Sequence, residues 1–209
     1  MRHERLYGAL GLSVLAALIV SGISPYDRAT WWLEVSPVLI AAPLLLATGR
    51  RFPLTTLLYV LIALHCLVLI LGGAYTYARV PAGFWVQELF ELSRNPYDKL
   101  GHFMQGLVPA LIAREILLRG RFVVPGKMLA FLSLCVAMTI SAVYELIEWW
   151  VALLAGGGAI EFLGTQGDPW DTQADMFWAL IGASAGLLGL ARLQDRQIAG
   201  LPPPDQRKG

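Results

Sequence analysis

Residues 53–75 read PLTTLLYVLIALHCLVLILGGAY, and this stretch indicates the class of protein before any motif does. It contains no charged residue, and His65 is the one strongly polar side chain among its leucines. An α-helix rises 1.5 Å per residue, so about 20 such residues cross the roughly 30 Å hydrocarbon core of a bilayer. Lipid offers no hydrogen bonds to the backbone, which favours a helix over an open strand. The stretch predicts a transmembrane helix.

The rest of the chain repeats this pattern on both sides. Further apolar stretches cover residues 6–23, 31–48, 100–118, 128–154 and 172–193. The chain is 56% hydrophobic and 15% charged, whereas soluble domains carry about 25% charged residues. We therefore expect an all-α, polytopic transmembrane bundle of about six helices. It forms a single domain over residues 1–196, followed by a disordered C-terminal tail at 197–209 that contains three consecutive prolines.

The basic residues predict how the bundle lies in the membrane. With a cytoplasmic N-terminus, most of the 16 Lys and Arg residues fall inside, and the outer side keeps only Arg28, Arg79, Arg94 and Lys99. The positive-inside rule therefore places both termini in the cytoplasm, as in a bacterial inner-membrane protein. Most acidic residues fall on the opposite, outer side. No basic tract with interleaved aromatic residues suggests that the protein binds nucleic acid.

The outer acidic residues are concentrated in three segments: 95–102 (NPYDKLGH), 144–150 (YELIEWW) and 167–175 (GDPWDTQAD). Residues three or four positions apart share a helix face. An ionised side chain inside a membrane span is costly, and it usually faces the bundle interior and has a partner. The three segments therefore predict pairs of side chains meeting at one depth of the bundle, namely Asp98 with His102, Glu145 with Glu148, and Asp171 with Asp175.

These residue types predict a metal site. Several carboxylates and one imidazole form a hard oxygen and nitrogen ligand set that suits Mg²⁺, Mn²⁺, Fe or Zn²⁺. Glu145 is the candidate general base, and the candidate metal ligands are Asp98, His102, Glu148, Asp168, Asp171 and Asp175. Simpler interpretations stay open, because Asp98 and Asp171 could only cap their helices and His102 could be an ordinary buried polar residue.

Two features outside these segments bear on packing. Glu34 lies on the outer side beside the second span and could join the acidic segments, although we expect ordinary placement at the membrane interface. The small residues from Gly182 to Gly186 form a face that allows close helix packing, either within the bundle or in a homo-oligomer.

The same three segments resemble the YjdF-like family of bacterial inner-membrane proteins. The resemblance is strongest at 97–103, 144–149 and 167–176 and extends over nearly the whole chain. More distantly, Asp98, Lys99 and His102, followed by Glu145 or Glu148 and then Asp175, are similar to the pattern of the VanZ-like proteins. Glu148 stands where that pattern has Gln, which weakens any glycopeptide-resistance role. The resemblance implies a polytopic membrane fold and no settled activity.

Three functions are compatible with the sequence. The first is a metal-dependent hydrolase or transferase at the outer leaflet that acts on a lipid or lipid-linked phosphate. The second is a small transporter in which the same acids bind a cation or relay protons. The third is a structural or accessory protein in which the acids only stabilise the bundle. The bound metal content distinguishes the first function from the third, and charge-dependent uptake without turnover of lipid would identify the second.

Overall fold

The computed structural model describes residues 2–155 and 166–203. Its helices are α1 (Arg2–Ile23), α2 (Arg28–Thr48), α3 (Thr56–Tyr75), α4 (Pro81–Leu89), α5 (Tyr97–Arg119), α6 (Lys127–Ala155), α7 (Asp171–Gly189) and α8 (Ala191–Ile198). No strand occurs within those ranges. The prediction of an all-α protein is confirmed. The helix α8 extends two residues into the expected tail, of which 204–209 lie outside the described residues.

Four helices are long and apolar enough to span a membrane, namely α1, α2, α3 and α6. A fifth span results if α7 and α8, which are bent by 54° relative to each other, cross together. The remaining expected span corresponds to α5, whose 23 residues would extend about 35 Å. This helix is long enough to cross a membrane but is not apolar enough to be counted among the candidate spans. The polytopic membrane architecture is confirmed, and the expected number of about six includes this polar helix.

The polar helix α5 lies at the centre of the bundle, where α3, α6 and α7 pack against it. Most of its side chains are buried, including His102, Gln105, Arg114 and Glu115. Neighbouring helices, and not lipid, therefore surround its polar groups. This placement explains how a helix with so many charged residues can be part of a membrane protein.

The contact between α5 and α7 depends on small residues on both helices. A Cβ atom at Gly106 would collide with the backbone of Ala179, and one at Gly182 would collide with the backbone carbonyl of Phe103. Gly186 packs against Leu107. The small-residue face of α7 is thus used within the bundle, which is one of the two possibilities that the sequence left open for Gly182 and Gly186.

The end of α5 near Arg119 is held by a buried hydrogen-bond network around Glu115, whose side chain is 0% exposed. Its carboxylate accepts the backbone N–H of Thr55 at 3.0 Å and the Thr55 hydroxyl at 2.8 Å. It also accepts Arg119 Nη1 at 2.9 Å and Gln194 Nε2 at 3.2 Å. We call these four residues the Glu115 network. It joins α3, α5 and α8, and every group in it has a partner.

Candidate metal centre

Three helices bring acidic side chains together at the other end of α5. Asp98 and His102 are one turn apart at the start of α5, and Glu145 and Glu148 are one turn apart near the end of α6. The first turns of α7 contribute two more acids, and the preceding loop contributes one. We call the set the carboxylate cluster; it consists of Asp98, Glu145, Glu148, Asp168, Asp171 and Asp175 around the imidazole of His102.

The His102 ring is the centre of the carboxylate cluster and is only 6% exposed. Its Nε2 atom lies 3.4 Å from Asp98 Oδ1 and 3.7 Å from Asp175 Oδ1. Its Nδ1 atom lies 3.0 Å from Gln105 Oε1 and 3.7 Å from Glu145 Oε1. Each ring nitrogen therefore faces a different part of the cluster.

Two groups of side chains have the spacing of metal ligands, and both contain His102. Asp98, His102 and Asp175 form one group, and His102, Glu145 and Glu148 form the other. Within each group the ligand atoms lie within 4.8 Å of one another. Ligands that share a cation at about 2.0–2.4 Å lie at most about 4–5 Å apart, so small side-chain movements would suffice to bind one.

Two basic residues neutralise part of the carboxylate cluster. Lys99 Nζ lies 2.5 Å from Asp175 Oδ1, 2.8 Å from Asp171 Oδ1 and 3.5 Å from Asp98 Oδ2. Arg94 Nη1 lies 2.6 Å from Asp171 Oδ1, and Arg94 Nη2 lies 3.1 Å from Asp168 Oδ2. Asp168 and Asp171, both expected to bind metal, thus lie outside the two ligand groups and contact basic side chains instead.

The sequence placed Arg94 and Lys99 on the same side as the acids but did not identify these ion pairs. Their partners lie more than 70 positions further along the chain. The only sequence signal for these ion pairs was that Asp98 and Lys99 are adjacent. This signal is weak, because adjacent residues on a helix do not face each other.

Two carboxylates of the cluster, those of Glu145 and Glu148, form no ion pair with a Lys or Arg side chain of the described residues. Four of the six carboxylates, those of Asp98, Asp168, Asp171 and Asp175, form ion pairs with Lys99 or Arg94. The Glu145 side chain is only 6% exposed, and its Oε1 atom has no hydrogen-bond partner. A buried carboxylate oxygen without a partner is unfavourable, so this end of the bundle differs from the Glu115 network. The carboxylate cluster thus contains side chains that could hold a cation.

A cavity of about 160 Å³ opens beside the carboxylate cluster. Its lining includes Glu34, His65, Asp98, His102, Tyr144 and Glu148. Glu34 is 4% exposed, and its Oε2 atom accepts a hydrogen bond from the Tyr144 hydroxyl at 3.3 Å. The expected interface position of Glu34 is therefore wrong, because its side chain points into the bundle. The sequence signal for this inward position was an acidic residue within an otherwise apolar span.

A larger groove of about 600 Å³ lies between α1 and α3. Its lining is mostly apolar and contains no acidic residue. The smaller cavity is therefore the one lined by candidate metal ligands, namely Asp98, His102 and Glu148.

Comparison with known proteins agrees with the fold. The family described as "Predicted membrane protein (DUF2238)" matches residues 6–196. The chain is 63% identical over 187 residues to "Inner membrane protein YjdF" of Escherichia coli (strain K12), which is 90% of each chain. No solved structure matches. The expected location in the bacterial inner membrane is confirmed, and so is the family suggested by the acidic segments. The chain belongs to the DUF2238 family of membrane proteins, which includes YjdF.

Proposed function

We propose that this protein is a divalent-cation-dependent membrane enzyme that acts on a lipid or lipid-linked phosphate. One observation carries the proposal: carboxylates from two further helices converge on the buried imidazole of His102, and Glu145 Oε1 among them has no hydrogen-bond partner. A purely structural network would be expected to satisfy its members, as the Glu115 network does.

The energetics of burial support a bound cation. An ionised group in a membrane span costs about 2.5–3.5 kcal/mol even on the scales that give low values. Bringing several carboxylates together adds mutual repulsion, which a divalent cation would remove. Carboxylate oxygens and one imidazole nitrogen suit Mg²⁺, Mn²⁺, Fe or Zn²⁺. A bound cation would therefore stabilise the bundle and supply a reactive centre.

The chemistry we propose is phosphoryl transfer to water. The cation would polarise a phosphoryl oxygen of the substrate and favour ionisation of a water molecule. The oxygen of that water attacks phosphorus, the bond from phosphorus to the lipid oxygen breaks, and the leaving oxygen takes up a proton. A carboxylate of the cluster would carry this proton from the water. The cavity beside His102 would admit the phosphate group while the lipid tail stays in the bilayer.

The distribution of basic residues supports the proposal that the enzyme works at the outer leaflet. With both termini cytoplasmic, the carboxylate cluster lies near the outer face, where lipid headgroups and lipid-linked phosphates are accessible. The exposed tryptophans of this end, among them Trp32, Trp149 and Trp170, are typical of a membrane interface.

The first test is metal content together with phosphate release. Purified protein would be reconstituted into vesicles that contain phosphatidic acid or a polyprenyl diphosphate, treated with a chelator, and then supplied with Mn²⁺. We expect phosphate release that the chelator abolishes and Mn²⁺ restores. His102→Ala should lose both bound metal and activity. Glu88→Gln changes an exposed acid on α4 and should lose neither.

Each alternative function predicts a different outcome. Uptake of Mn²⁺ into the vesicles without phosphate release would indicate that the protein is a transporter and not an enzyme. Absence of bound metal, with loss of folded protein when the acids are changed, would indicate a structural or accessory role. Either result would overturn the proposal.

A further inference from the structure

The two ligand groups that share His102 suggest a pair of cation positions at first sight. One position would lie at Nε2, between Asp98 and Asp175, and the other at Nδ1, between Glu145 and Glu148. Two-metal sites are common in enzymes that act on phosphate. The two positions differ, however, in what already occupies them.

We propose that the Lys99 ammonium group takes the place of a second cation, so that the protein binds one divalent cation, at Nδ1 of His102 with Glu145 and Glu148. This inference rests on the cation of the proposed function and states where it binds and how many are bound.

The contacts of Lys99 support the first half of this inference. Its Nζ atom lies within 3.5 Å of carboxylate oxygens of Asp98, Asp171 and Asp175, and at 2.5 Å from the last. A lysine ammonium group has three N–H donors, and here each faces a carboxylate. Its side chain is only 12% exposed, so water screens it little. A divalent cation at Nε2 would have to approach this fixed positive charge closely.

The Nδ1 side of the His102 ring, in contrast, has no basic side chain beside its carboxylates in the part of the chain that the structure describes. Glu145 Oε1, which has no hydrogen-bond partner, lies 3.7 Å from Nδ1. No Lys or Arg side chain of the described residues forms an ion pair with Glu145 or Glu148. Gln105 Oε1 lies 3.0 Å from Nδ1 and accepts a hydrogen bond from it while Nδ1 carries a proton. A cation that displaces this proton would find the amide oxygen a further suitable ligand. This side therefore offers ligands and negative charge without a resident cation.

Asp98 becomes a positioning residue under this inference. Its Oδ1 atom lies 3.4 Å from His102 Nε2 and can accept the proton of that nitrogen. A carboxylate that holds one ring N–H leaves the lone pair of the other nitrogen for the metal, as is usual for histidine ligands. The carboxylate of Asp98 thus directs Nδ1 towards Glu145 and Glu148.

The test counts Mn²⁺ ions bound per chain in purified protein by elemental analysis. We expect about one ion in the wild type and about one in Lys99→Arg, which keeps the positive charge. Lys99→Met keeps most of the side-chain volume but removes the charge. We expect it to bind about two ions, the second among the carboxylates of Asp98, Asp171 and Asp175 where the ammonium group was. The paramagnetic resonance spectrum of this variant should show coupling between neighbouring Mn²⁺ ions.

Two further variants distinguish the sides of the ring. We expect Glu145→Gln to lose most of the single cation, whereas Asp175→Asn retains it. Retention in Glu145→Gln together with loss in Asp175→Asn would place the cation at Nε2 and overturn the assignment. This pair remains decisive if Lys99→Met fails to fold, which size-exclusion chromatography would reveal.

The stoichiometry separates failure of this inference from failure of the proposed function. Two ions in the wild type, or a folded Lys99→Met that still binds one, would show that Lys99 does not replace a cation. No bound ion in the wild type would instead refute the metal-dependent function itself.

Discussion

The Glu115 network permits a stability prediction that does not depend on function. Glu115→Ala removes a fully buried carboxylate that accepts four hydrogen bonds, two of them from Thr55 and the others from Arg119 and Gln194. Arg119 keeps further acceptors, the backbone carbonyls of Pro53 and Pro202. The donors of the other three hydrogen bonds are the Thr55 backbone N–H, the Thr55 hydroxyl and Gln194 Nε2, and each loses an acceptor inside the bundle.

The magnitude follows from the groups left without partners. An unsatisfied buried donor costs about 1–3 kcal/mol, and breaking a buried ion pair by removing one partner costs about 3–5 kcal/mol. Because the donors can partly rearrange, we expect Glu115→Ala to lower the free energy of unfolding by about 4 kcal/mol. Glu115→Gln keeps the shape and one acceptor oxygen, and it should cost about half as much.

Reversible unfolding in mixed detergent micelles with increasing dodecyl sulfate would measure this difference. Glu88→Ala, at an exposed acid of α4, serves as a control and should stay within about 0.5 kcal/mol of the wild type. Bound metal should be unchanged in folded Glu115→Ala, since the carboxylate cluster lies at the other end of α5. A loss below about 1 kcal/mol would refute the argument that this network holds the helices together.

Two further predictions concern helix packing and a helix end. Gly106→Ala should destabilise the protein by about 1–3 kcal/mol, because its Cβ would collide with the backbone of Ala179; Gly8→Ala, at an open helical position, should be neutral or slightly stabilising in the same micelle unfolding assay. Asp27→Ala should cost about 1 kcal/mol at pH 7, because Asp27 Oδ1 accepts the backbone N–H of Thr30 at the start of α2. This hydrogen bond lowers the pKa of Asp27 from 3.8, so its contribution is present above that pH and should disappear as the pH falls through the lowered pKa. An unfolding difference that is independent of pH would contradict this assignment.

Much of the carboxylate cluster could be foreseen from helical spacing. The pairs Asp98 with His102 and Glu145 with Glu148 were expected on shared faces, and the structure brings both pairs together. Spacing along one helix depends only on helical geometry, which local sequence defines. The partners of Asp168 and Asp171 were not foreseeable in this way, because Arg94 and Lys99 reach them across the bundle.

Burial was harder to infer than helix formation. An acidic residue in an apolar span, such as Glu34, can lie at the interface or face inward, and the helical periodicity of α2 does not distinguish these, since both of its faces are apolar. Likewise, the spacing of Arg114, Glu115 and Arg119 along α5 does not indicate that all three are buried. Their burial depends on α8 folding back against α5, which is visible only in three dimensions.

The sequence by itself determined that this protein is a helical membrane protein, because long uncharged stretches can satisfy their backbone in lipid only as helices. It also determined which acids share a helix face. Tertiary structure alone decided which of these acids face His102 and which are neutralised by Lys99 and Arg94. The physical reason is that electrostatic interactions depend on distances between side chains of different helices, and those distances follow from how the small residues of α5 and α7 let the two helices approach.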